Sequence, residues 1–311
     1  MQAPPEQSLV SILMNCYNGE RYLAEAIESV LTQTYGNWEI IFWDNQSTDR
    51  SAEICNGYGE PRIRYFHSDR HTSLGEARAL ALEQARGDYI AVLDVDDVWL
   101  PRKLEVQLPL FADPEVGIVI SDTLFFTDNG AQRQLFGNHP PPQGYVFSQL
   151  LKSYFCSLET VVLRRRAIDS LGQAFDKALS HISDFDLIVR LSKDWKLVCV
   201  SEVLAKWRVH ASSGSWAEPD RFYREKMQFV QKMDALPEYA SLWAQSRPSF
   251  VRDSIVSEAI AQLARNERAL CRTSLAPYFF SAAKATLVYL ATWLPFANVL
   301  VQRYRRRKAM V

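Results

Sequence analysis

Asp94, Asp96 and Asp97 place three carboxylates in four positions, inside the stretch Y-I-A-V-L-D-V-D-D-V-W of residues 89–99. The mostly apolar residues 89–93 read as a buried strand, and Pro101 opens the next helix, R-K-L-E-V-Q-L-P-L-F. Acids at the carboxyl end of a buried strand put negative charge where open α/β sheets bind their ligands. Two carboxylates at i and i+2 can share one hard divalent cation, Mg²⁺ or Mn²⁺, which keeps positions open for phosphate oxygens. The plain alternative at this spacing is an acidic turn with a helix N-cap, because Asp suits both.

The surrounding elements bear on that choice. Residues 9–14 form a short apolar run, broken by the turn Asn15-Cys16-Tyr17-Asn18-Gly19. A helix over 20–33 follows, with Leu23, Ala26, Ile27, Val30 and Leu31 as its apolar stripe. A second strand over 38–43 ends in the polar turn D-N-Q-S-T-D, a third covers 63–66, and an alanine-rich helix over 74–86 stops at Gly87. Strand and helix thus alternate from residue 9 to about 111. The alternation predicts an α/β fold with a mostly parallel sheet and helices on both faces. Every polar turn follows a strand, so Asn15, Tyr17, Asp44, Asn45 and the acids at 94–97 face one crevice. The sequence has neither a G-x-G-x-x-G after its first strand nor a G-x-x-x-x-G-K-[ST] anywhere. Phosphate bound without such loops needs another positive charge, and a metal on the carboxylates supplies one.

The composition sets the frame. At 311 residues and 48% hydrophobic, the chain can bury a sizeable core, and its net charge of −1 gives no reason to expect a nucleic-acid partner. The five cysteines, at 16, 55, 156, 199 and 271, contain no C-x-x-C pair, so neither a zinc site nor a disulfide framework is expected. The opening M-Q-A-P-P-E-Q has no basic and apolar regions of a signal peptide.

The runs V-S-I-L-M-N-C-Y-N-G-E-R-Y-L, W-E-I-I-F-W-D-N-Q-S-T-D, S-L-G-E-A-R and Y-I-A-V-L-D-V-D-D-V-W-L-P-R-K-L occur in order and at suitable spacing. Together with H-I-S-D-F-D-L-I-V-R-L and L-A-K-W-R-V-H, they make the first 210 residues resemble a family 2 glycosyltransferase. The resemblance implies the GT-A fold, a Rossmann-like, mixed, mostly parallel sheet flanked by helices, here with a C-terminal helical extension. It implies inverting transfer of a sugar from a nucleotide diphosphate to an acceptor hydroxyl, assisted by Mg²⁺ or Mn²⁺.

The resemblance puts Asn15 and Tyr17 beside the nucleobase, Tyr17 as a stacking face, with Asp44 and Asn45 in the turn beyond. Asn45 stands where the family has a base-pairing aspartate, and its amide offers both a donor and an acceptor. Arg78 matches an arginine that approaches the nucleotide. Asp94 and Asp96 match the D-x-D pair, Asp96 as a direct metal ligand and Asp94 as a ligand or ribose contact. His210 matches a histidine or arginine near the metal and diphosphate. Asp184 matches the catalytic base, with Ser183 replacing the glutamate that precedes it in the family. The donor classes favoured are UDP- and dTDP-sugars.

The second half carries fewer signals. Strands are expected over 116–127 and 158–163, a long polar loop over 128–145, and a solvated helix start at Arg164-Arg165-Arg166. Ser183-Asp184-Phe185-Asp186 opens a helix, whose N-terminus favours an ionised carboxylate. Residues 220–264 read as amphipathic helix. Residues 277–301 are the most apolar stretch, followed by Arg303, Arg305, Arg306, Arg307 and Lys308 with no acid among them. One span would leave the basic tail in the cytoplasm and the catalytic domain outside, away from nucleotide sugars. A helix lying in the membrane interface, its basic end on anionic headgroups, avoids that conflict.

The expected organisation is a nucleotide-sugar half (1–111), an acceptor and catalytic half (112–215), and a helical extension (216–311) that meets the membrane surface through 277–308. The expected function is metal-assisted, inverting glycosyl transfer to a glycan or lipid-linked acceptor, on the inner face of the plasma membrane. Two alternatives stay open: a sugar-nucleotide-binding scaffold without catalysis, and a nucleotidyltransferase, against which the missing phosphate loop argues.

Overall fold

The computed structural model describes residues 8–210 and 219–309, with side chains of the last helix described as far as Arg303. The expected boundary at 215/216 and the side chains of the basic tail beyond Arg303 lie outside the described residues. The chain divides into two compact units, Met1–Arg208 and Val209–Val311.

The first unit begins with the alternation read from the sequence. In order come β1 (Val10–Cys16), α1 (Leu23–Leu31), β2 (Trp38–Asp44), α2 (Ser51–Gly57), β3 (Ile63–His67), α3 (Leu74–Gln84) and β4 (Tyr89–Val92). After β5 (Val98–Trp99) come α4 (Lys103–Gln107), β6 (Val116–Phe126), β7 (Gln132–Gln134), α5 (Phe147–Lys152), β8 (Val162–Arg164), α6 (Arg165–Asp169), α7 (Ser183–Leu191) and β9 (Lys196–Arg208). One sheet has the order β3-β2-β1-β4-β8-β6-β9-β5, with β7 beside β6.

The pairs among β3, β2, β1 and β4 are parallel. Every residue of β1, β2 and β4 is buried, as continuous apolar runs in a sheet covered on both faces require. Beyond β4 the sheet is mixed: β8 runs antiparallel to β4 and β6, whereas β6 and β9 are parallel. The core joins both regions, with Ile12, Met14, Ile27, Phe42, Ala91, Trp99, Val119 and Val162 in one cluster.

Two local expectations fail for identifiable reasons. Residues 158–163 are not one strand: Leu158–Thr160 is a 3-10 turn, held by a bond from the Thr160 hydroxyl to the Ser157 carbonyl at 2.6 Å. Such local side-chain bonds compete with strand pairing. The basic run does open a helix, at Arg165, but Arg164 is not solvated. It ends β8, lies over the Phe111 ring at 5.2 Å and donates to the carbonyls of Val116 and Asp113.

The second unit is helical: α8 (Pro219–Asp234), α9 (Ala240–Ala264), α10 (Arg268–Leu275), α11 (Ala283–Ala291) and α12 (Ala297–Ala309). Val256, Leu263, Cys271, Leu275, Ala285 and Ala297 form its core, and Phe229, Trp243 and Phe250 a cluster of rings. The apolar stretch is two helices, interrupted around Pro295. Among the described residues, no helix is long and apolar enough to cross a membrane.

Candidate active site

The parallel strands deliver their ends to one edge. Cys16, the last residue of β1, pairs with Asp44, the last of β2. Leu13 pairs with Val92 of β4, so Asp94 follows just beyond. Asn15 is buried there, and neither its amide oxygen nor its nitrogen has a hydrogen-bond partner among the described residues. Buried amides are almost always satisfied, so this one points to a ligand or water. Tyr17 is 54% exposed, with its ring 4.3 Å from that of His71.

Asp44 is occupied within the turn. It accepts the Ser47 N–H at 2.7 Å and the Tyr65 hydroxyl at 2.7 Å. Asn45 is committed further still. Its Oδ1 accepts the Thr72 N–H at 3.1 Å and the Thr72 hydroxyl at 3.0 Å, and its Nδ2 donates to the Thr72 carbonyl at 3.0 Å. These bonds use one of its two amide N–H groups. The next residue, Gln46, adopts φ 71°, a left-handed conformation better suited to glycine. His71, which no sequence motif singles out, reaches this group because its Nδ1 lies 3.0 Å from the Asn45 carbonyl oxygen. A carbonyl only accepts, so Nδ1 carries a proton in this contact.

The acid cluster is braced from two sides. Nη2 of buried Arg78 donates to both oxygens of Asp94, at 3.0 and 3.2 Å, and its Nη1 donates to the Ser183 hydroxyl at 2.8 Å. Gly75, one turn earlier in α3, lets this helix approach the segment before α7: an added Cβ would lie 2.2 Å from the Asp176 carbonyl oxygen. Arg208, at the end of β9, gives its backbone N–H to Asp97 at 2.9 Å and its Nε to the Asp96 carbonyl at 3.1 Å. The Arg208 guanidinium also pairs with Asp128 at 2.9 Å and with Glu25. No motif announced this arginine; two residues before His210, it was hidden in the W-R-V-H run.

The electrostatics suit a cation. Loss of surrounding water and the charge of Asp96 push the Asp94 carboxyl up, while Arg78 pulls it down. Asp97 is raised well above the usual range by burial and by the charges of Asp96, Glu159 and Asp94. Among the described residues, no three His, Cys, Asp or Glu side chains stand as a metal cage. A cation completed by diphosphate oxygens and water needs no such cage, and a single carboxylate beside a second acid fits it.

At the start of α7, the two aspartates have separate roles. Asp186 is fully buried and paired with Arg190, at 2.7 and 3.1 Å. Asp184 is partly exposed and accepts the Tyr154 hydroxyl at 2.9 Å. Its charge is felt at Asp94, so the two carboxylates belong to one electrostatic neighbourhood.

Comparison with known proteins agrees with this layout. The family model for glycosyl transferase family 2 matches residues 11–172, just over half of the chain. The Escherichia coli UDP-Glc:alpha-D-GlcNAc-diphosphoundecaprenol beta-1,3-glucosyltransferase WfgD is 30% identical over 207 residues, covering 66% of this chain and 79% of its own. The putative teichuronic acid biosynthesis glycosyltransferase TuaG of Bacillus subtilis is 26% identical over 242 residues, covering 75% and 94%. Among solved structures, S. aureus TarS 1-349 in complex with UDP-GlcNAc is similar with a TM-score of 0.63 at 16% identity, covering 96% of this chain and 91% of its own. The Pyrobaculum calidifontis mannosyltransferase PcManGT, solved with GDP-Man and Mn²⁺, gives 0.59 at 17% identity, covering 98% and 86%. With the family model matched over more than half of its length and GT-A glycosyltransferases among its structural neighbours, the chain belongs to glycosyl transferase family 2 and is a glycosyltransferase.

Proposed function

We propose that the protein transfers a sugar, with inversion, from a nucleoside-diphosphate sugar to a hydroxyl of a lipid-linked or glycan acceptor during polysaccharide or glycolipid assembly. The observation that carries this reading is the strand-end edge itself, where Asn15 is buried, its whole amide unpartnered among the described residues, one turn from exposed Tyr17 and beside the acids at 94–97. Tyr17 would stack on the base, and Asn15 and the remaining N–H of Asn45 would bond its polar edge. UDP- and dTDP-sugars are the favoured donors, a choice supported by the UDP-Glc in the name of the E. coli relative and by the UDP-GlcNAc bound to TarS. The diphosphoundecaprenol in the same name supports a lipid-linked acceptor.

Asp96 would hold Mg²⁺ or Mn²⁺, with Asp94 beside it and His210 added by the resemblance. The cation would neutralise the charge that builds on the departing diphosphate. Asp184 takes the proton of the acceptor hydroxyl as its oxygen bonds to the anomeric carbon. The bond from that carbon to the phosphate oxygen breaks, and its electron pair leaves with the nucleoside diphosphate. A single in-line displacement inverts the anomeric centre and needs one base.

The second unit would bring the enzyme to the inner face of the membrane. Phe280, Leu287, Leu290, Trp293, Leu294, Phe296 and Leu300 are all more than half exposed. No acid occurs in residues 277–308, which end in a basic tail. Such a surface suits the interface of an anionic bilayer.

The test is calorimetric binding of UDP, dTDP and GDP, each with and without Mn²⁺. Tightening by Mn²⁺ for one nucleotide, lost in Asp96→Ala, is the expected result. Absence of binding under every condition refutes a nucleotide-sugar site in this crevice, and with it both the transferase reading and the sugar-nucleotide-binding scaffold.

A further inference from the structure

Tyr154 lies between α5 and the 3-10 turn at 158–160, in a stretch without regular structure. Its hydroxyl donates to Oδ2 of Asp184 at 2.9 Å, and its ring stands edge-on to that of Phe185 at 5.1 Å. The two bonds at the start of α7 come from different directions: Arg78 holds Ser183 from α3, and Tyr154 holds Asp184 from the 153–157 segment.

We propose that Tyr154 is the positioning residue of the catalytic base, fixing one oxygen of Asp184 so that the other faces the acceptor hydroxyl. The inference rests on Asp184 being that base. A carboxylate on the first turn of a helix can rotate about two side-chain bonds. One hydrogen bond at its far oxygen, from a phenol wedged against the neighbouring Phe185, removes that freedom before the acceptor arrives. Fixing a reacting group in advance is worth orders of magnitude in rate, and a small misplacement is correspondingly costly. The phenol keeps its proton and can donate, because burial and the charge of Asp184 push its ionisation well above the ordinary tyrosine range.

Asp94 on the donor side and Tyr154 and Cys156 on the loop side all lie within range of the Asp184 charge. Arg78 is bound to Asp94 and Ser183, so Tyr154 is the group that acts on Asp184 through a direct bond.

The experiment compares Tyr154→Phe and Asp184→Asn with the wild type in the full chain. Turnover is followed as nucleotide release from the donor that the binding series selects. In Tyr154→Phe, kcat should fall about 10- to 100-fold with the donor KM and UDP affinity within twofold of wild type. An unchanged kcat overturns the proposal. Loss of UDP binding in the phenylalanine variant also overturns it, because the hydroxyl would then serve the fold. A fully active Asp184→Asn enzyme refutes the base assignment itself, whereas an inactive one beside a wild-type-like Tyr154→Phe refutes only the positioning role.

Discussion

Arg78 and Asp94 are joined through a single nitrogen, Nη2, that donates to both oxygens of the carboxylate at 3.0 and 3.2 Å. The arginine is buried and the aspartate side chain is 34% exposed, so the pair stands at the wall of the crevice. Because Nη1 of the same guanidinium bonds Ser183, the donor-side acids and the helix that carries Asp184 share one brace. The resemblance made Arg78 a nucleotide contact; the geometry makes it a brace as well.

Replacing Arg78 by Met should therefore damage two things at once. The loss of charge-assisted bonds at a partly buried carboxylate should cost about 2 kcal/mol of stability, measured by urea unfolding. Turnover should fall by more than nucleotide binding does, since the start of α7 loses its anchor. Lysine retains the charge but not the forked geometry, so Arg78→Lys should recover stability better than turnover. A lysine variant with full activity would show that charge alone matters.

The alternation of the first 110 residues was legible because apolar runs of strand length and striped helices have unambiguous periods. The strand-end position of Asn15, Tyr17 and Asp94 followed from it. What the pattern could not show is where side-chain bonds end. Asn45 looked available for a base, but Thr72, 27 residues away, takes three of its bonds. His71 and Tyr154 carried no local signal, since each acquires a role only when a distant turn or helix is folded beside it. Arg208 needed the register of β9 to bring it beneath Asp96 and Asp97.

Asn45 gives a test in which the family's aspartate should be the worse residue. In Asn45→Asp, the bond from Nδ2 to the Thr72 carbonyl disappears and a carboxylate oxygen faces that carbonyl instead. The site is buried, so a stability loss of about 1–3 kcal/mol is expected in urea unfolding at neutral pH. An unchanged midpoint would mean that the turn relaxes around the charge.

Lys103 should make stability depend on pH. Its ammonium is buried, bonded to Gln107 at 2.6 Å and to the Thr160 carbonyl at 3.2 Å, and lies 4.4 Å from the centre of the Trp99 ring. Burial lowers its pKa from 10.5 to about 7. A lysine lowered in the folded state is charged in the unfolded chain and neutral in the native one between those values. The unfolded state thus binds more protons there, and stability must rise with pH from about 7 to about 10.5. Below about pH 7 both states are protonated and the cost of burying the charge is fully present. Lys103→Met removes the group, so its stability relative to wild type should decline steadily across this window, by a total on the order of 5 kcal/mol. A difference between the two proteins that is flat in pH would contradict the lowered lysine.

The second unit calls for surface substitutions rather than truncation. Deleting 277–311 would strip Ala285 and Ala297 from the core shared with Val256, Leu263 and Cys271, so loss of membrane binding could follow from unfolding. Leu287, Leu290, Leu294 and Phe296 are instead 68%, 51%, 56% and 71% exposed, and polar replacements there leave that core intact. Each side chain sunk into the interface would contribute on the order of 1 kcal/mol, given that full burial of such a residue is worth about 1.5–3 kcal/mol. The fourfold glutamine variant should then bind vesicles about 100-fold or more weakly. Wild type should float with phosphatidylglycerol-containing vesicles, less with pure phosphatidylcholine, and progressively less as salt screens the basic tail. Equal flotation of the glutamine variant would assign the attachment to the basic residues alone. Failure of the wild type to bind either vesicle would remove the membrane from the proposed function and leave the exposed face to a protein partner.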